Sequence, residues 1–262
     1  MKKYNKHNSY AVVTGASSGI GEEFARRFAR EGFDLVLVAR REERLKALAA
    51  QLGEQFHSNV KVVEADLSKE RGCRQLMREI LDLPVTVFVN NAGFGDCGYF
   101  PQRRIDKELD MIDVNIKAVH FLTKMILQKM ENQKHGYILN VASSAGLMPA
   151  GPFMSTYYAT KAYVASLTRG IAQELKERGS GIYIGCLCPG PVDTEFDEVA
   201  NVRFSLQGIS PRYCANYAVD QMKKRKVVIV PTILMKMLVV LGRFLPQSRL
   251  IAILSRQQRQ KL

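Results

Sequence analysis

The chain has 262 residues, 47% of them hydrophobic, and a formal net charge of +13. This predicts one globular domain with a sizeable core and an anionic partner: a nucleotide phosphate, an anionic membrane surface or nucleic acid. The five cysteines make no CxxC pair and no His-containing ligand spacing, and no apolar h-region precedes the first apolar run. We therefore expect reduced thiols, no metal site, no signal peptide and a cytoplasmic protein.

Short apolar runs alternate with longer segments of helical period along the chain, which is typical of repeated βαβ units. The predicted strands are 10–14, 34–39, 60–65, 85–90, 137–142, 182–188 and 227–231. The predicted helices are 19–31, 41–56, 70–82, 105–132 and 156–178. Fully apolar strands indicate a parallel sheet that is covered by helices on both faces.

The fold class that follows is α/β, with a Rossmann-type, doubly wound, seven-stranded parallel sheet in three αβα layers. Residues 1–231 form one catalytic domain in this prediction, and residues 232–262 form a C-terminal helical extension. The segment 191–210 lacks clear periodicity and is predicted to be a mobile lid near the end of a strand.

A glycine-rich turn, TGASSGIG from Thr14 to Gly21, joins the first predicted strand to the first predicted helix. Its glycines permit a tight turn and bring backbone N–H groups close to a pyrophosphate at the helix N-terminus. Because the strand precedes and the helix follows, we predict a dinucleotide site instead of a simple turn. The expected cofactor contacts in this turn are Gly15, Ser17, Ser18, Gly19, Ile20 and Gly21.

The end of the second predicted strand reads LVLVARREERL and lacks the acidic residue that usually binds the adenosine ribose of NAD. Ala39 stands in that place and Arg40 follows, so a 2′-phosphate would meet a guanidinium instead of a carboxylate. NADP(H) is therefore the predicted cofactor. Arg41 and Arg44 are equally compatible with a phosphate contact and with the solvated start of a helix.

Two adjacent tyrosines occur in the segment MSTYYATKAYVASLTRG, residues 154–170. Tyr157 and Lys161 are four positions apart and share a helix face, whereas Tyr158 has Ala162 at that offset. The ammonium is expected to lower the pKa of Tyr157, so that the phenol can exchange a proton with an alcohol or ketone oxygen. Tyr158 is predicted to point elsewhere and only to pack. One such pair carries little weight, because chance supplies about one match in this chain.

Four further clusters of small or polar residues follow or adjoin predicted strands, where open α/β sheets bind ligands. They are NNAG at 90–93, DVNIKA at 113–118, NVASSAG at 140–146 and CPGPVDT at 188–194. Together with TGxxxGxG and YxxxK, in this order, they resemble the motifs of the short-chain dehydrogenase/reductase family, with its hydroxysteroid dehydrogenase-like members. The resemblance covers the chain to about residue 231.

The resemblance implies that Tyr157 is the general acid/base and that Lys161 lowers its pKa and holds the nicotinamide ribose. It implies that Ser143, with Ser144 as the alternative, orients the carbonyl. Asn115 would support a water-mediated proton relay, with helix capping as its alternative. The further cofactor contacts that it implies are Asp66, Leu67, Asn90, Ala92, Gly93, Tyr157, Lys161, Pro189, Gly190, Val192 and Thr194. The family commonly forms homodimers or homotetramers, and we expect the same of this chain.

The expected walls of a substrate pocket are the loops 94–100, 147–156 and 192–207. They supply mostly apolar side chains, namely Phe94, Tyr99, Leu147, Met148, Phe153, Met154, Phe196 and Phe204. Such a lining suits a bulky lipophilic ketone or alcohol, and a steroid, a bile acid or a long-chain carbonyl would fit. Packing against the domain is the alternative for each of them.

The extension after the last strand carries two apolar runs separated by Pro246, with basic residues between and after them. Neither run reaches the roughly twenty residues that a membrane-spanning helix needs. The extension could lie on an anionic membrane as a peripheral contact, bury itself against a partner subunit or cap the substrate pocket. We favour a contact with protein.

The predicted function is an NADP(H)-dependent oxidoreductase that interconverts a ketone and a secondary alcohol on a bulky apolar substrate, with a hydroxysteroid or bile acid suspected. The alternatives are a 3-oxoacyl or other lipid carbonyl reductase at a membrane surface and a non-catalytic dinucleotide-sensing protein. Nucleic acid is not an expected partner, because no recognised binding module or basic–aromatic pattern occurs.

Overall fold

The computed structural model of the protein describes residues 9–200 and 208–259. Its seven strands form one parallel sheet in the order β3-β2-β1-β4-β5-β6-β7. The strands are β1 (Tyr10–Thr14), β2 (Asp34–Ala39), β3 (Val60–Glu64), β4 (Val85–Asn90), β5 (Gly136–Val141), β6 (Ile182–Leu187) and β7 (Val228–Ile229). This confirms the predicted Rossmann-type fold class.

Helices connect the strands and extend beyond the last of them. They are α1 (Gly19–Arg30), α2 (Glu42–Phe56), α3 (Glu70–Glu79), α4 (Ile105–Ile112), α5 (Val119–Gln133), α6 (Ser155–Glu177), α7 (Phe196–Ala200), α8 (Pro211–Lys223), α9 (Ile233–Gly242) and α10 (Gln247–Arg259). A 3₁₀ turn spans Phe100–Gln102, and a second one, Ser144–Leu147, follows β5.

Two apolar cores lie on opposite faces of the sheet. Helices α1, α2 and α8 cover one face, and the side chains of Phe24 and Phe28 from α1 are fully buried there. Helices α3, α5 and α6 cover the other face, where Leu76, Leu122 and Ile126 are fully buried. The strands β4, β5 and β6 are buried along their whole length, which explains why their sequences are apolar runs without alternation.

Three details differ from the sequence-based prediction. The helix expected over 105–132 is divided, because a π-helical segment, Asp113–Ala118, lies between α4 and α5. Helix α8 was not predicted, and the last strand pairs over only Val228–Ile229. Single-turn π-helical segments inside α-helices often occur at functional sites, and this one contains Asn115.

The C-terminal extension forms two helices, α9 and α10, on either side of Pro246. Thr232 caps α9 by accepting a hydrogen bond from the backbone N–H of Met235 at 3.3 Å. Both helices contribute side chains to the large cavity described below. The extension therefore reaches the catalytic end of the sheet.

Candidate active site

One cavity of about 530 Å³ lies at the carboxyl ends of the strands, where the sheet order changes direction between β1 and β4. Most residues that the sequence predicted for the cofactor or the chemistry line it. They are Gly15, Ser17, Ser18, Gly19, Ile20, Arg40, Asp66, Leu67, Ala92, Gly93, Ser143, Tyr157, Lys161, Pro189, Gly190, Val192 and Thr194. Ser144, the alternative to Ser143, lines it as well.

The glycine-rich turn leaves a bare backbone surface at one end of this cavity. Gly15 and Gly19 have φ angles of +65° and +58°, which favour glycine. A Cβ atom on Gly21 would lie 2.1 Å from the carbonyl oxygen of Gly15, so Gly21 permits close packing of α1 without lining the cavity. This geometry fits the pyrophosphate of a dinucleotide at the N-terminus of α1.

Asn91, and not Asn90, faces the cavity. Asn90, the last residue of β4, is buried, and its amide Nδ2 donates to Asn140 Oδ1 at 2.9 Å and to Thr123 Oγ1 at 3.1 Å. Asn91 lines the cavity, and its Nδ2 donates to the carbonyl oxygen of Thr14 at 3.0 Å. The side chain of Asn90 therefore points away from the cavity, because side chains at successive positions of extended backbone point to opposite faces.

Arg41 lines the cavity beside Arg40, whereas Arg44 does not. The guanidinium of Arg41 donates to Ser18 Oγ at 2.7 Å and to Ser17 Oγ at 3.1 Å. It also forms an ion pair with Glu195 at 2.7 Å, and Arg44 pairs with the other carboxylate oxygen at 2.5 Å. The hydrogen bonds that Arg41 and Arg44 donate to the Glu195 carboxylate lower its pKa to about 2.

Ser143, Tyr157 and Lys161 converge on the middle of the cavity. Ser143 ends the extended segment after β5 and caps the 3₁₀ turn, since its Oγ accepts from the N–H of Ala145 at 3.1 Å. Tyr157 and Lys161 lie one turn apart on α6, and Lys161 Nζ is 5.8 Å from the centre of the Tyr157 ring. Lys161 Nζ donates to the carbonyl oxygen of Val141 at 2.9 Å.

The sequence predicted that Lys161 lowers the pKa of Tyr157, but in the structure the pKa of Tyr157 is raised. Burial raises the pKa of Tyr157 to about 12, and the hydrogen bond with Ser143 lowers it by a smaller amount. Burial likewise lowers the pKa of Lys161 to about 8. Desolvation disfavours the charged form of both groups, so the expectation of a depressed tyrosine pKa is wrong for this arrangement.

Asn115 lies directly behind the cavity wall in the π-helical segment and is fully buried. Its Oδ1 accepts from the N–H of Phe94 at 3.1 Å, and its Nδ2 donates to the carbonyl oxygen of the same residue at 2.9 Å. A Cβ atom on Gly93 would lie 2.9 Å from Asn115 Oδ1 and 3.2 Å from Lys161 Nζ. Asn115 therefore anchors the loop after β4 beside Lys161.

The apolar end of the cavity agrees only partly with the predicted pocket walls. Phe94, Met148, Met154 and Phe196 line it. Tyr99 does not, because 58% of it is exposed to solvent, and Leu147 and Phe153 pack beside buried clusters instead. Phe204 lies outside the described residues. The extension adds to this lining through Met235, Leu238, Leu250, Ile253, Leu254, Gln257 and Gln258.

Tyr158 faces the cavity, although the sequence predicted that it points elsewhere and only packs. It lines the same cavity as Tyr157, and its phenol oxygen accepts a hydrogen bond from Nε2 of Gln258 at 2.5 Å. Both residues are buried, with 9% and 2% of their surfaces exposed. No local pattern announces this pair, because its members belong to α6 and α10 and meet only through the tertiary fold.

Comparisons with known proteins show the family to which the chain belongs. The profile of the short-chain dehydrogenase family matches residues 9–203. The very-long-chain 3-oxoacyl-CoA reductase-like protein of Arabidopsis thaliana is 33% identical over 84% of this chain and 72% of its own length. The 17-beta-hydroxysteroid dehydrogenase type 3 of Mus musculus is 32% identical over 73% of this chain and 63% of its own. A short-chain dehydrogenase of Sphingobium yanoikuyae, solved in complex with NADPH, superposes with a TM-score of 0.82 at 32% identity, over 90% and 93% of the two chains.

A doubly wound sheet with a dinucleotide cradle, and with a serine, a buried tyrosine and a buried lysine at one cavity, defines a nicotinamide-dependent oxidoreductase of Rossmann fold. The chain belongs to the short-chain dehydrogenase family. It is an oxidoreductase that acts on carbonyl or alcohol groups of a small-molecule substrate, which sets aside the non-catalytic alternative.

Proposed function

We propose that this protein is an NADP(H)-dependent enzyme that interconverts a ketone and a secondary alcohol on a bulky apolar substrate. The observation that carries the proposal is the convergence of Ser143, Tyr157 and Lys161 between a dinucleotide cradle and an apolar chamber in one cavity. Cofactor and substrate would meet where the three polar side chains lie.

Each polar side chain has a distinct task in this proposal. The nicotinamide would supply hydride to the carbonyl carbon or accept it from the alcohol carbon. Ser143 orients the carbonyl oxygen through its hydroxyl. Tyr157, with a pKa of about 12, is protonated at neutral pH and is suited to donate its proton to that oxygen. Lys161 is held by Val141 beside the tyrosine and binds the nicotinamide ribose, while Asn115 fixes the loop next to it.

The preference for NADP(H) over NAD(H) rests on charge at the end of β2. Ala39 leaves no carboxylate to oppose a 2′-phosphate, and Arg40 and Arg41 both line the cavity there. Arg41 is held against the hydroxyls of Ser17 and Ser18, so its guanidinium lies over the turn that would hold the phosphates. Two guanidinium groups favour a phosphate monoester strongly over a ribose hydroxyl.

The substrate class rests on the apolar chamber formed by α6, α7, α9 and α10. Its apolar lining suits a hydroxysteroid or bile acid, and the similarity to a hydroxysteroid dehydrogenase supports this choice. A 3-oxoacyl thioester of a long-chain acid is the second candidate, because a 3-oxoacyl-CoA reductase-like protein is similarly close. Both candidates carry a ketone on a large apolar body.

The experiment is a substrate screen that follows NADPH consumption with the purified protein. It compares oxidised steroids and bile acids with long-chain 3-oxoacyl-CoA thioesters at equal concentrations, with NADH in place of NADPH as a parallel series. Faster turnover of the ring systems supports the first candidate, and faster turnover of the thioesters supports the second. Failure of both classes with either cofactor would overturn the proposed substrate class.

We further infer that the chain forms a homodimer or homotetramer, as members of its family commonly do. The outer surfaces of α5 and α6 offer apolar side chains for such a contact, because Met125 and Tyr163 are partly exposed there. Light scattering on the purified protein tests it, and a mass of one chain would contradict it.

A further inference from the structure

The outer surface of the C-terminal extension is unusually apolar for a protein surface. We call the exposed side chains of α9 and of the turn after it the outer apolar face; they are Ile233, Leu234, Met237, Leu238, Val240, Leu241, Phe244 and Leu245. Phe244 is 81% exposed and Ile233 is 75% exposed, whereas Met235 and Val239 alone among the α9 side chains are buried. A contiguous apolar surface of this kind marks an interaction site.

The two helices of the extension also carry basic side chains and no acidic ones. Lys236, Arg243, Arg249, Arg256 and Arg259 are exposed on or between α9 and α10. No aspartate or glutamate follows Asp220 in the sequence. Apolar side chains beside uncompensated basic ones are the pattern that binds the surface of an anionic bilayer, where both contributions add.

Part of the rim of the cavity lies on the same extension. Leu238 and Ile253 line the cavity and are nevertheless 41% and 52% exposed. Leu250 and Leu254 line it from deeper positions on α10. Exposed lining residues on α9 and α10 therefore form part of the rim of the apolar chamber, and this rim includes Leu238 of the outer apolar face.

We propose that the outer apolar face docks on an anionic phospholipid surface and that the substrate enters the cavity from the lipid between α9 and α10. The docking is argued only from the outer apolar face and its basic neighbours, whereas the entry route for the substrate rests on the proposed function. Contact at the interface is sufficient for this role. In the part of the chain that the structure describes, no helix has the length and apolarity to cross a bilayer.

A second copy of this chain fits the face less well than a bilayer does. In a symmetric dimer the same patch meets itself, so the basic residues around one face would approach those around the other. The extension holds no carboxylate that could pair with them. An anionic lipid surface instead supplies the counter-charge for Arg243 and Arg249 and an apolar layer for Phe244.

Vesicle flotation tests the docking with the full-length protein. The vesicles contain phosphatidylcholine alone or with about 30% phosphatidylglycerol, and the fraction of protein that floats is measured at low and high salt. We expect binding to the anionic vesicles that weakens with salt. Phe244→Glu should lower the partition coefficient by about tenfold or more. Leu81→Glu is the matched control, since Leu81 is a 65% exposed apolar residue outside the extension, and it should leave the coefficient within about twofold.

Further measurements keep the outcomes distinct. Far-UV circular dichroism establishes that each variant is folded, and Arg243→Gln with Arg249→Gln gives a second, purely electrostatic test if Phe244→Glu does not fold. The docking proposal is overturned if the wild type does not bind anionic vesicles, or if Phe244→Glu binds them as well as the wild type does. The face would instead bind a second copy of the chain if two results coincide. The wild type would be a dimer that does not bind vesicles, and Phe244→Glu would be a monomer. Vesicle binding without NADPH turnover of any ketone would leave the docking standing and remove the proposed function.

Discussion

Nε2 of Gln258 donates a hydrogen bond to the phenol oxygen of Tyr158 at 2.5 Å, across a hundred positions of sequence. The bond ties α10 to α6 at the residue next to Tyr157. It is buried, and the other amide atom of Gln258, Oε1, has no partner among the described residues. The C-terminal extension is thus connected to the candidate active site by a polar contact within an apolar chamber.

Tyr158→Phe should destabilise the protein more than Gln258→Leu. Tyr158→Phe leaves the buried amide of Gln258 without a partner, which costs about 1–3 kcal/mol, whereas Gln258→Leu removes the amide altogether. Urea unfolding measures the free energy of each variant. The double variant should recover part of the loss of Tyr158→Phe, and a double variant that is less stable than either single one would contradict this account.

Tyr157→Phe should abolish turnover and leave NADPH binding nearly intact. Removing the phenol proton eliminates general acid catalysis, which contributes about 10²–10⁴-fold to the rate. Stopped-flow NADPH oxidation and fluorescence titration separate the two effects. Tyr163→Phe is the matched control, since it deletes a hydroxyl on the same helix outside the cavity and should retain turnover. Normal turnover by Tyr157→Phe would remove the proposed role.

Arg40→Ala should weaken NADPH binding by about tenfold or more and leave NADH binding within about twofold, because the loss of one charge-assisted hydrogen bond to the 2′-phosphate affects only the phosphorylated cofactor. Arg41→Ala should act in the same direction. Isothermal titration with each cofactor measures both affinities. Equal losses for NADPH and NADH would show that the arginines do not select the 2′-phosphate.

Glu195→Gln should strengthen NADPH binding several-fold and leave NADH binding unchanged. The Glu195 carboxylate, with a pKa of about 2, is charged at all working pH values and occupies Arg41 and Arg44. A 2′-phosphate near Arg41 would compete for the same guanidinium and meet a like charge. Glu198→Gln, the same change on a neighbouring exposed residue, serves as the control. Unaltered NADPH affinity in Glu195→Gln would exclude this competition.

Lys161→Met should raise the stability of the protein at neutral pH while it removes activity. Burial lowers the pKa of Lys161 from 10.5 to about 8, so between these values the unfolded chain binds a proton that the folded chain does not. Stability from this group therefore rises from pH 8 to 10.5, and below pH 8 the group opposes folding by roughly 3 kcal/mol.

The lost hydrogen bond to the carbonyl of Val141 offsets about 1 kcal/mol of that gain. Urea unfolding across pH 7–10 measures the free energy, and Lys161→Met should lack the rise that the wild type shows. Lys176→Met, at an exposed position on the same helix, should keep it. A Lys161→Met protein that is less stable than the wild type at pH 7 would contradict the pKa direction.

The strands and the cofactor turn could be predicted because their signals are local. The strands β1, β2 and β4 follow the predicted ranges exactly as apolar runs, since strands covered on both faces need no polar alternation. The turn could be predicted from its glycines. Gly15 and Gly19 adopt positive φ angles, and Gly21 allows a close backbone approach that a Cβ atom would prevent. The spacing of Tyr157 and Lys161 likewise follows from one turn of helix.

The sequence by itself thus determined the fold class, the cofactor cradle and which tyrosine stands one turn before a lysine. Only the tertiary structure decided that Asn91 faces the cavity, that Glu195 reaches Arg41, and that Gln258 meets Tyr158. It also decided that burial raises the pKa of Tyr157 to about 12, whereas the sequence had predicted that Lys161 lowers it. Local patterns depend on backbone period and side-chain type, whereas desolvation and long-range pairing depend on which distant segments pack together.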